Sequence, residues 1–117
     1  MDQNSLALIL RIFVSSTDKY KDDLLYEHLV FKAKEFGLTG ASVFKGVLGF
    51  GASSRVLSQK FWEISEKLPV VVEIIDTEDR ILSFYESIKP DLETMRYGCL
   101  VLLEEASVLL SKPGRKH

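Results

Sequence analysis

The segment KGVLGFGASSR, at residues 45–55, ends an apolar run with three glycines inside six residues, followed at once by two serines and an arginine. Glycine weakens a strand, so it is usually placed where the backbone takes a positive φ or where another group approaches closely. Backbone N–H groups in such a turn, together with hydroxyls and a guanidinium, suit an anion such as phosphate. The same spacing is equally typical of a glycine-rich connection between two strands.

The size and charge of the chain indicate one ordinary globular domain. It has 117 residues, of which 46% are hydrophobic and 27% are charged, and its formal net charge is −2. This charge gives no general electrostatic reason to bind nucleic acid or an anionic membrane surface. We therefore expect a single domain, residues 1–117, with no nucleic-acid partner.

The cysteine count and the first residues predict the cellular compartment. The single cysteine, Cys99, excludes an internal disulfide and favours a reducing environment. The apolar run at residues 6–10 is too short to span a membrane and is followed by Arg11, and the first four residues lack a basic signal-peptide region. These features predict a cytoplasmic protein without direct membrane insertion.

The first half of the chain has the pattern of a strand, a helix and a second strand. Residues 6–15 are apolar and β-branched, which predicts a strand, and residues 15–23 are polar and predict a loop. Asp22 or Asp23 is expected to cap a helix that ends at Gly37, with an apolar stripe of Leu25, Leu29, Ala33 and Phe36. A second strand is predicted at residues 41–48, followed by an irregular segment at residues 52–67.

The second half repeats the order strand, helix, strand. Residues 68–76 predict a strand that begins near Pro69, and Asp76 is expected to cap a helix that Pro90 ends. A short helix or turn follows at residues 91–97. The last predicted strand runs from Cys99 to about Leu103, with a short extra strand at residues 107–110 and a frayed tail at residues 111–117.

This order predicts an α+β fold of the ferredoxin-like type, βαββαβ, with a four-stranded antiparallel sheet. Two helices cover one face of such a sheet, yet the first and third strands are apolar on both faces. Residues 8, 10, 12 and 14 lie on one face of the first strand, and Ile9 and Phe13 lie on the other. We therefore expect self-association through the second face, with Arg11, Lys45 and Glu73 forming ion pairs within that interface.

The residues for catalysis or metal binding are not arranged in a recognisable pattern. Two histidines and one cysteine give no metal-ligand spacing, and His28 has no evident nucleophile beside it. A paired-carboxylate site remains an alternative, although helix capping explains most of the acidic residues. GFGASS at residues 49–54 also nearly matches a dinucleotide fingerprint, with Asp76 as the ribose acid, but the chain has too few strands for a Rossmann sheet.

The segments GASVFKGVLGFGASSR, at residues 40–55, and LPVVVEIIDTE, at residues 68–78, resemble a PII-like family of uncharacterised bacterial and archaeal domains. Residues 18–20 and 25–27 fit the same family, so the resemblance covers nearly the whole chain. More distantly, the GFG and LPV segments look like parts of PII signal-transduction proteins. Those proteins are trimers of ferredoxin-like subunits that bind adenine nucleotides between subunits and control partners through a long loop after the second strand.

The resemblance implies a set of binding residues. Gly49 and Gly51 would contact the nucleotide through their backbone, Ser53 would help to hold phosphate, and residues 52–67 would form the effector loop. PII proteins carry a lysine after the glycine that opens strand four and arginines near its end, where this chain has Cys99 and the sequence ASVLL. The complete candidate site is Lys45, Gly46, Gly49, Phe50, Gly51, Ser53, Ser54, Arg55 and Arg96.

The missing cations favour AMP, ADP or another small anion over ATP as the ligand. The resemblance then implies a homotrimeric, non-enzymatic sensor that requires no cofactor or metal and controls a transporter or an enzyme through its mobile loop. A small oligomeric enzyme that uses the same cleft and a structural oligomer without a ligand remain the alternatives.

Overall fold

The computed structural model describes residues 5–51, 57–58 and 67–115. In these ranges the main sheet consists of β1 (Leu6–Ser15), β4 (Gly40–Lys45), β7 (Pro69–Asp76) and β8 (Leu100–Ser107). The two helices are α1 (Leu25–Phe36) and α2 (Glu78–Thr94). Two short ladders join β2 (Lys19–Tyr20) to β3 (Asp23–Leu24) and β5 (Leu48–Gly49) to β6 (Leu57–Ser58).

The four long strands are antiparallel and lie in the order β4-β7-β1-β8, which is the ferredoxin-like order. β1 is central and pairs with β7 on one side, from Leu8 opposite Asp76 to Ser15 opposite Pro69. On its other side it pairs with β8, from Leu6 opposite Ser107 to Phe13 opposite Leu100. The predicted α+β fold class with a four-stranded antiparallel sheet is confirmed.

The core lies between this sheet and the two helices. Alternate residues of β1 and β7 point toward the helices because successive side chains of a strand face opposite sides. α1 packs against β4 and β7, and α2 packs against β1 and β7. The buried side chains of the core are Leu10, Ile12, Val14, Leu25, Leu29, Ala33, Val70, Val72, Ile74, Ile81, Phe84, Ile88 and Leu92.

The start of α1 differs from the prediction, whereas its end agrees. Leu24 is the N-cap residue and makes no side-chain cap bond, so the predicted capping by Asp22 or Asp23 is wrong. A backbone contact replaces that cap, since the Leu25 N–H donates to the Asp18 carbonyl at 2.8 Å. Gly37 ends the helix with φ of 82°, and the N–H groups of Gly37 and Leu38 donate to the last turn, as in a Schellman motif.

α2 also departs from the prediction at both ends. Thr77 is its N-cap residue, and Asp76 accepts the Thr77 N–H at 2.7 Å instead of capping the first turn itself. Pro90 does not end the helix but lies inside it, and the predicted separate turn at residues 91–97 is replaced by a continuous helix to Thr94. Burial of Leu92, which is 5% exposed, holds the last turn against the core despite the hydrogen bond that proline removes.

Two strand ends differ from the prediction. The second long strand ends at Lys45; the Gly46 N–H still donates to the Pro69 carbonyl at 2.7 Å, but proline has no N–H with which to continue the ladder. The third long strand begins at Pro69, as predicted. The last extends to Ser107, since β1 offers it a pairing partner along its whole length. The predicted extra strand at residues 107–110 is absent from this described part of the chain, where Val108 instead donates to the Ser5 carbonyl at 2.8 Å.

The face of the sheet opposite the helices carries apolar side chains around a central ion cluster. Ile9, Phe13, Val71, Ile75 and Leu102 are half-buried there, while Phe44 and Leu100 are 54% and 53% exposed. The guanidinium of Arg11 donates to Glu73 and to Glu104, each at 3.0 Å. Arg11 and Glu73, two of the three charged residues predicted to pair on this face, thus pair with each other. The prediction is wrong for the third, Lys45, which lies on the helix face over the Tyr26 ring.

Candidate functional site

A cavity of about 600 Å³ lies at the end of the sheet where β1 ends and where β7 and β8 begin. This volume is within the range of small-ligand pockets. The glycine-rich turn after β5 contributes one side of the cavity. Its lining residues are Phe13, Val14, Ser15, Asp18, Phe50, Gly51, Lys67, Pro69, Val70, Tyr97, Gly98, Cys99 and Leu100.

Glycine is present at these positions of the turn for different structural reasons. A Cβ added at Gly46 would lie 2.9 Å from Cγ of Pro69, and one at Gly49 would lie 3.4 Å from the same atom. These two glycines therefore let the turn pack closely against the start of β7, without a positive φ at either one. A Cβ at Gly51 would meet nothing within 4 Å, although this residue lines the cavity. The fold would therefore tolerate a side chain at Gly51, and glycine at this position keeps that part of the cavity empty.

Asp18 is a nearly buried acid in the cavity wall, with 7% of its surface exposed. Its Oδ2 accepts the Ser15 N–H at 3.0 Å. Burial raises the pKa of Asp18, and the hydrogen bond from Ser15 and the charges of Lys67 and Arg96 offset part of that rise. The carboxylate therefore shares its surroundings with two cations.

Arg96, Tyr97 and Cys99 lie just before β8. The Arg96 guanidinium is 4.9 Å from the centre of the Tyr97 ring and donates to the Tyr97 hydroxyl at 3.3 Å. This hydrogen bond lowers the pKa of Tyr97, whereas burial and then the charge of Asp18 raise the pKa of the Cys99 thiol. Cys99 is thus kept as a neutral thiol. Arg96, which was predicted to belong to the site, is not among the lining residues but contacts Tyr97, which is.

The structure brings some of the sequence-predicted site residues together and not others. Phe50 and Gly51 line the cavity, and Gly46 and Gly49 support it through Pro69. Lys45 is on the helix face of the sheet, with its Nζ 5.4 Å from the centre of the Tyr26 ring, and is not among the lining residues. The predictions for Ser53, Ser54 and Arg55 lie outside the described residues, as does most of the predicted loop at residues 52–67.

Sequence reasoning did not select Asp18, Lys67, Tyr97 or Cys99 as site residues. They come from the end of one strand and the starts of two others, far apart along the chain. The antiparallel order of the sheet contains the signal that identifies them, because it places the end of β1 beside the starts of β7 and β8. Local spacing within any one segment carries no such signal.

Two further properties can be stated for the described part of the chain. Neither α1 nor α2 in these residues is long and apolar enough to cross a membrane. The same ranges contain no group of three or more histidine, cysteine or acidic side chains that is placed to hold a metal ion.

The fold is of the PII-like type. CPII, a nitrogen regulatory PII-like protein from Thiomonas intermedia K12, superposes with a TM-score of 0.67 at 14% identity, with 91% of each chain covered. A protein from Thermus thermophilus described as a putative PII-like signaling protein superposes with a TM-score of 0.63 at 17% identity, covering 89% of this chain and 90% of its own. At these identities the likeness establishes the fold.

Sequence comparison gives the family. Residues 7–108 match the model of DUF190, described as "Uncharacterized ACR, COG1993". A UPF0166 protein from Aquifex aeolicus is 38% identical over 101 residues, which are 86% of this chain and 91% of that protein. The UPF0166 protein MJ1524 from Methanocaldococcus jannaschii is 37% identical over 103 residues, 87% of this chain and 91% of its own. The chain belongs to this family, which confirms the resemblance seen in the sequence.

Proposed function

We propose that this protein is a PII-like regulatory protein that binds a small adenine nucleotide, AMP or ADP in preference to ATP, in the cavity beside the glycine-rich turn. The observation that carries the proposal is the position of this cavity, where the turn that ends in Phe50 and Gly51 meets the starts of β7 and β8.

The lining of the cavity supports a ligand of this kind. The rings of Phe13, Phe50 and Tyr97 and the side chain of Leu100 offer flat and apolar surfaces for a purine. Lys67 in the wall and Arg96 beside it supply positive charge for one or two phosphates. CPII, which has the same fold, has been solved bound to ADP, AMP and bicarbonate.

The face of the sheet opposite the helices, which we call the open face, supports a trimer as the functional assembly. Phe44 and Leu100 are exposed there among half-buried apolar residues, and burial of this surface against further copies of the chain would remove it from water. Leu100 also lines the cavity, so a neighbouring copy packed on that face would border the nucleotide. Residues 52–67 would then act as the loop through which the ligand controls a transporter or an enzyme in the cytoplasm.

Titration calorimetry with AMP, ADP and ATP tests the nucleotide site. Gly51→Val places a branched side chain at the cavity wall, and since its Cβ meets no neighbour, the fold should persist while nucleotide binding weakens at least about tenfold. Gly114→Val is the matched control, because its Cβ also meets nothing within 4 Å and this glycine does not line the cavity. Equal nucleotide affinities in Gly51→Val and the parent protein would show that the nucleotide does not bind beside Gly51.

Sedimentation tests the proposed assembly separately. We expect the parent protein at three times the 13.3 kDa of one chain. The double variant Phe44→Glu with Leu100→Glu places charge on the open face and should sediment as a single chain. Phe31→Glu, a change on α1 at a side chain that is 64% exposed, should leave the trimer unchanged. A parent protein that stays monomeric at micromolar concentration would overturn the trimer.

A further inference from the structure

The nearly buried carboxylate of Asp18 lies in the wall of a cavity to which we have assigned an anionic ligand. An anion is not the natural neighbour of an acid, so the role of this residue needs an explanation beyond the fold. Its Oδ2 accepts one backbone N–H, from Ser15, and its own backbone completes the turn between β1 and α1. An asparagine would satisfy the same hydrogen bond without carrying a charge.

We infer that Asp18 is a specificity-determining residue of the nucleotide site, whose carboxylate disfavours nucleotides with additional phosphates. This inference rests on the proposed function. A carboxylate oxygen accepts hydrogen bonds from amino and hydroxyl groups, which adenosine provides, and repels phosphate oxygens.

The charges at the cavity limit the charge of the ligand that it can hold. Lys67 lines the cavity and Arg96 stands next to it on Tyr97, and both cations act on the Asp18 carboxylate. One acid and two bases leave a small positive excess, which suits one or two phosphate charges. Each further phosphate adds negative charge without a described cation to pair it, while the charge of Asp18 remains in a poorly solvated wall.

A structural role does not explain the charge of Asp18 either. At the other end of the sheet Asp76 is 2% exposed and accepts four hydrogen bonds, including one from Arg80. Asp18 is buried to a similar degree but has no comparable set of donors among the described residues. A ligand donor in the cavity would complete its hydrogen bonding.

The test compares AMP with ATP by titration calorimetry in the parent protein and in Asp18→Asn. We expect the parent to prefer AMP, and we expect Asp18→Asn to reduce the ratio of the ATP and AMP dissociation constants by about tenfold, mainly through tighter ATP binding. Asp22→Asn is the matched control, since it removes the same charge from an exposed position on the neighbouring hairpin. It should leave the ratio within about twofold of the parent.

The outcomes separate this inference from the proposed function. If the parent binds AMP but Asp18→Asn leaves the ratio unchanged, the role of Asp18 is overturned while the nucleotide site stands. If the parent binds none of the nucleotides, the proposed function fails and this inference fails with it. If circular dichroism shows that Asp18→Asn is unfolded, Asp18→Ser takes its place, because it removes the same charge and retains an acceptor oxygen. We expect the same reduction in the ratio of the ATP and AMP dissociation constants for this variant.

Discussion

Asp18 and Asp76 are two buried acids at opposite ends of the ladder between β1 and β7. Asp76 closes β7 opposite Leu8, and Asp18 follows the end of β1, where Ser15 pairs with Pro69. Asp76 receives the N–H of Thr39 at 2.9 Å, the Thr39 hydroxyl at 3.1 Å, the N–H of Thr77 at 2.7 Å and Nε of Arg80 at 3.2 Å. Asp18 receives the N–H of Ser15 at 3.0 Å.

This difference in hydrogen bonding gives the two carboxyl groups opposite pKa shifts. Burial alone raises the pKa of Asp76, but its four donors outweigh burial and hold the pKa below the usual value. For Asp18 burial dominates, and the pKa is raised. One end of the sheet thus uses its acid to join the α1–β4 turn to α2, whereas among the described residues the acid at the other end has one donor, the Ser15 N–H.

The largest expected effect is the loss of stability in Asp76→Ala. Removal of this carboxylate leaves two backbone N–H groups, a hydroxyl and a guanidinium without their acceptor, and we expect the free energy of unfolding to fall by about 3–5 kcal/mol. Urea denaturation followed by circular dichroism measures it. Asp79→Ala is the control, since it removes an exposed acid from the first turn of α2 and should cost less than about 1 kcal/mol. Similar losses in the two variants would contradict the structural role of Asp76.

A smaller loss is expected for Arg80→Ala. The Arg80 guanidinium donates to Asp76 and to the Gly37 carbonyl, so it joins the C-terminus of α1 to the start of α2. Its side chain is 47% exposed, which limits the expected loss to about 1–2 kcal/mol in the same denaturation experiment. Arg80→Lys keeps the charge but not both hydrogen bonds and should fall between the parent and Arg80→Ala. A loss as large as that of Asp76→Ala would mean that Arg80, and not the backbone donors, dominates this end.

The comparison also shows which features the sequence could predict. The continuous apolar run of β1, the stop at Gly37 and the order of elements are local patterns, and they predicted the ferredoxin-like fold correctly. Pro90 is a local pattern as well, but the packing of Leu92 overrides it. Asp76 was predicted to act as a helix cap, yet two of its four hydrogen bonds come from Thr39, whose position beside it depends on the tertiary fold.

The candidate site was harder to predict because it is assembled from several chain segments. The glycine-rich turn is continuous in sequence, so Phe50 and Gly51 could be selected from their spacing. Asp18, Lys67 and Tyr97 meet only when β1, β7 and β8 are aligned side by side. The turn that holds Asp18 also has the appearance of an ordinary polar loop, so nothing local distinguishes its acid from Asp22 or Asp23.

Asp18→Asn should change the free energy of unfolding less than Asp76→Ala or Arg80→Ala does at the other end of the sheet. The amide oxygen can still accept the Ser15 N–H, and the substitution removes a charge whose burial is unfavourable. We expect a change in the free energy of unfolding of less than about 1 kcal/mol at pH 7, in either direction. A loss of more than about 3 kcal/mol would show that the charge of Asp18 stabilises the fold, as that of Asp76 does, and would remove the contrast between the two ends.

The smallest expected effect is the pH dependence that distinguishes the two acids. The pKa of Asp18 is raised in the folded state, so between about pH 3.9, the usual value in an unfolded chain, and the higher folded pKa the native protein binds more protons than the unfolded one. Its contribution to stability is therefore full below about pH 3.9 and is lost as the pH rises through the folded pKa. The pKa of Asp76 is lowered, so its contribution is present above about pH 3.9 and is lost only at lower pH.

Denaturation between about pH 4 and pH 7 should thus show the parent gaining stability relative to Asp18→Asn as the pH falls, while its stability relative to Asp76→Ala stays constant. If the difference between the parent and Asp18→Asn were flat in this interval, the acid in the cavity wall would be as well solvated or as well paired as Asp76. The two ends of the sheet would then no longer differ in the way that assigns one of them to a ligand.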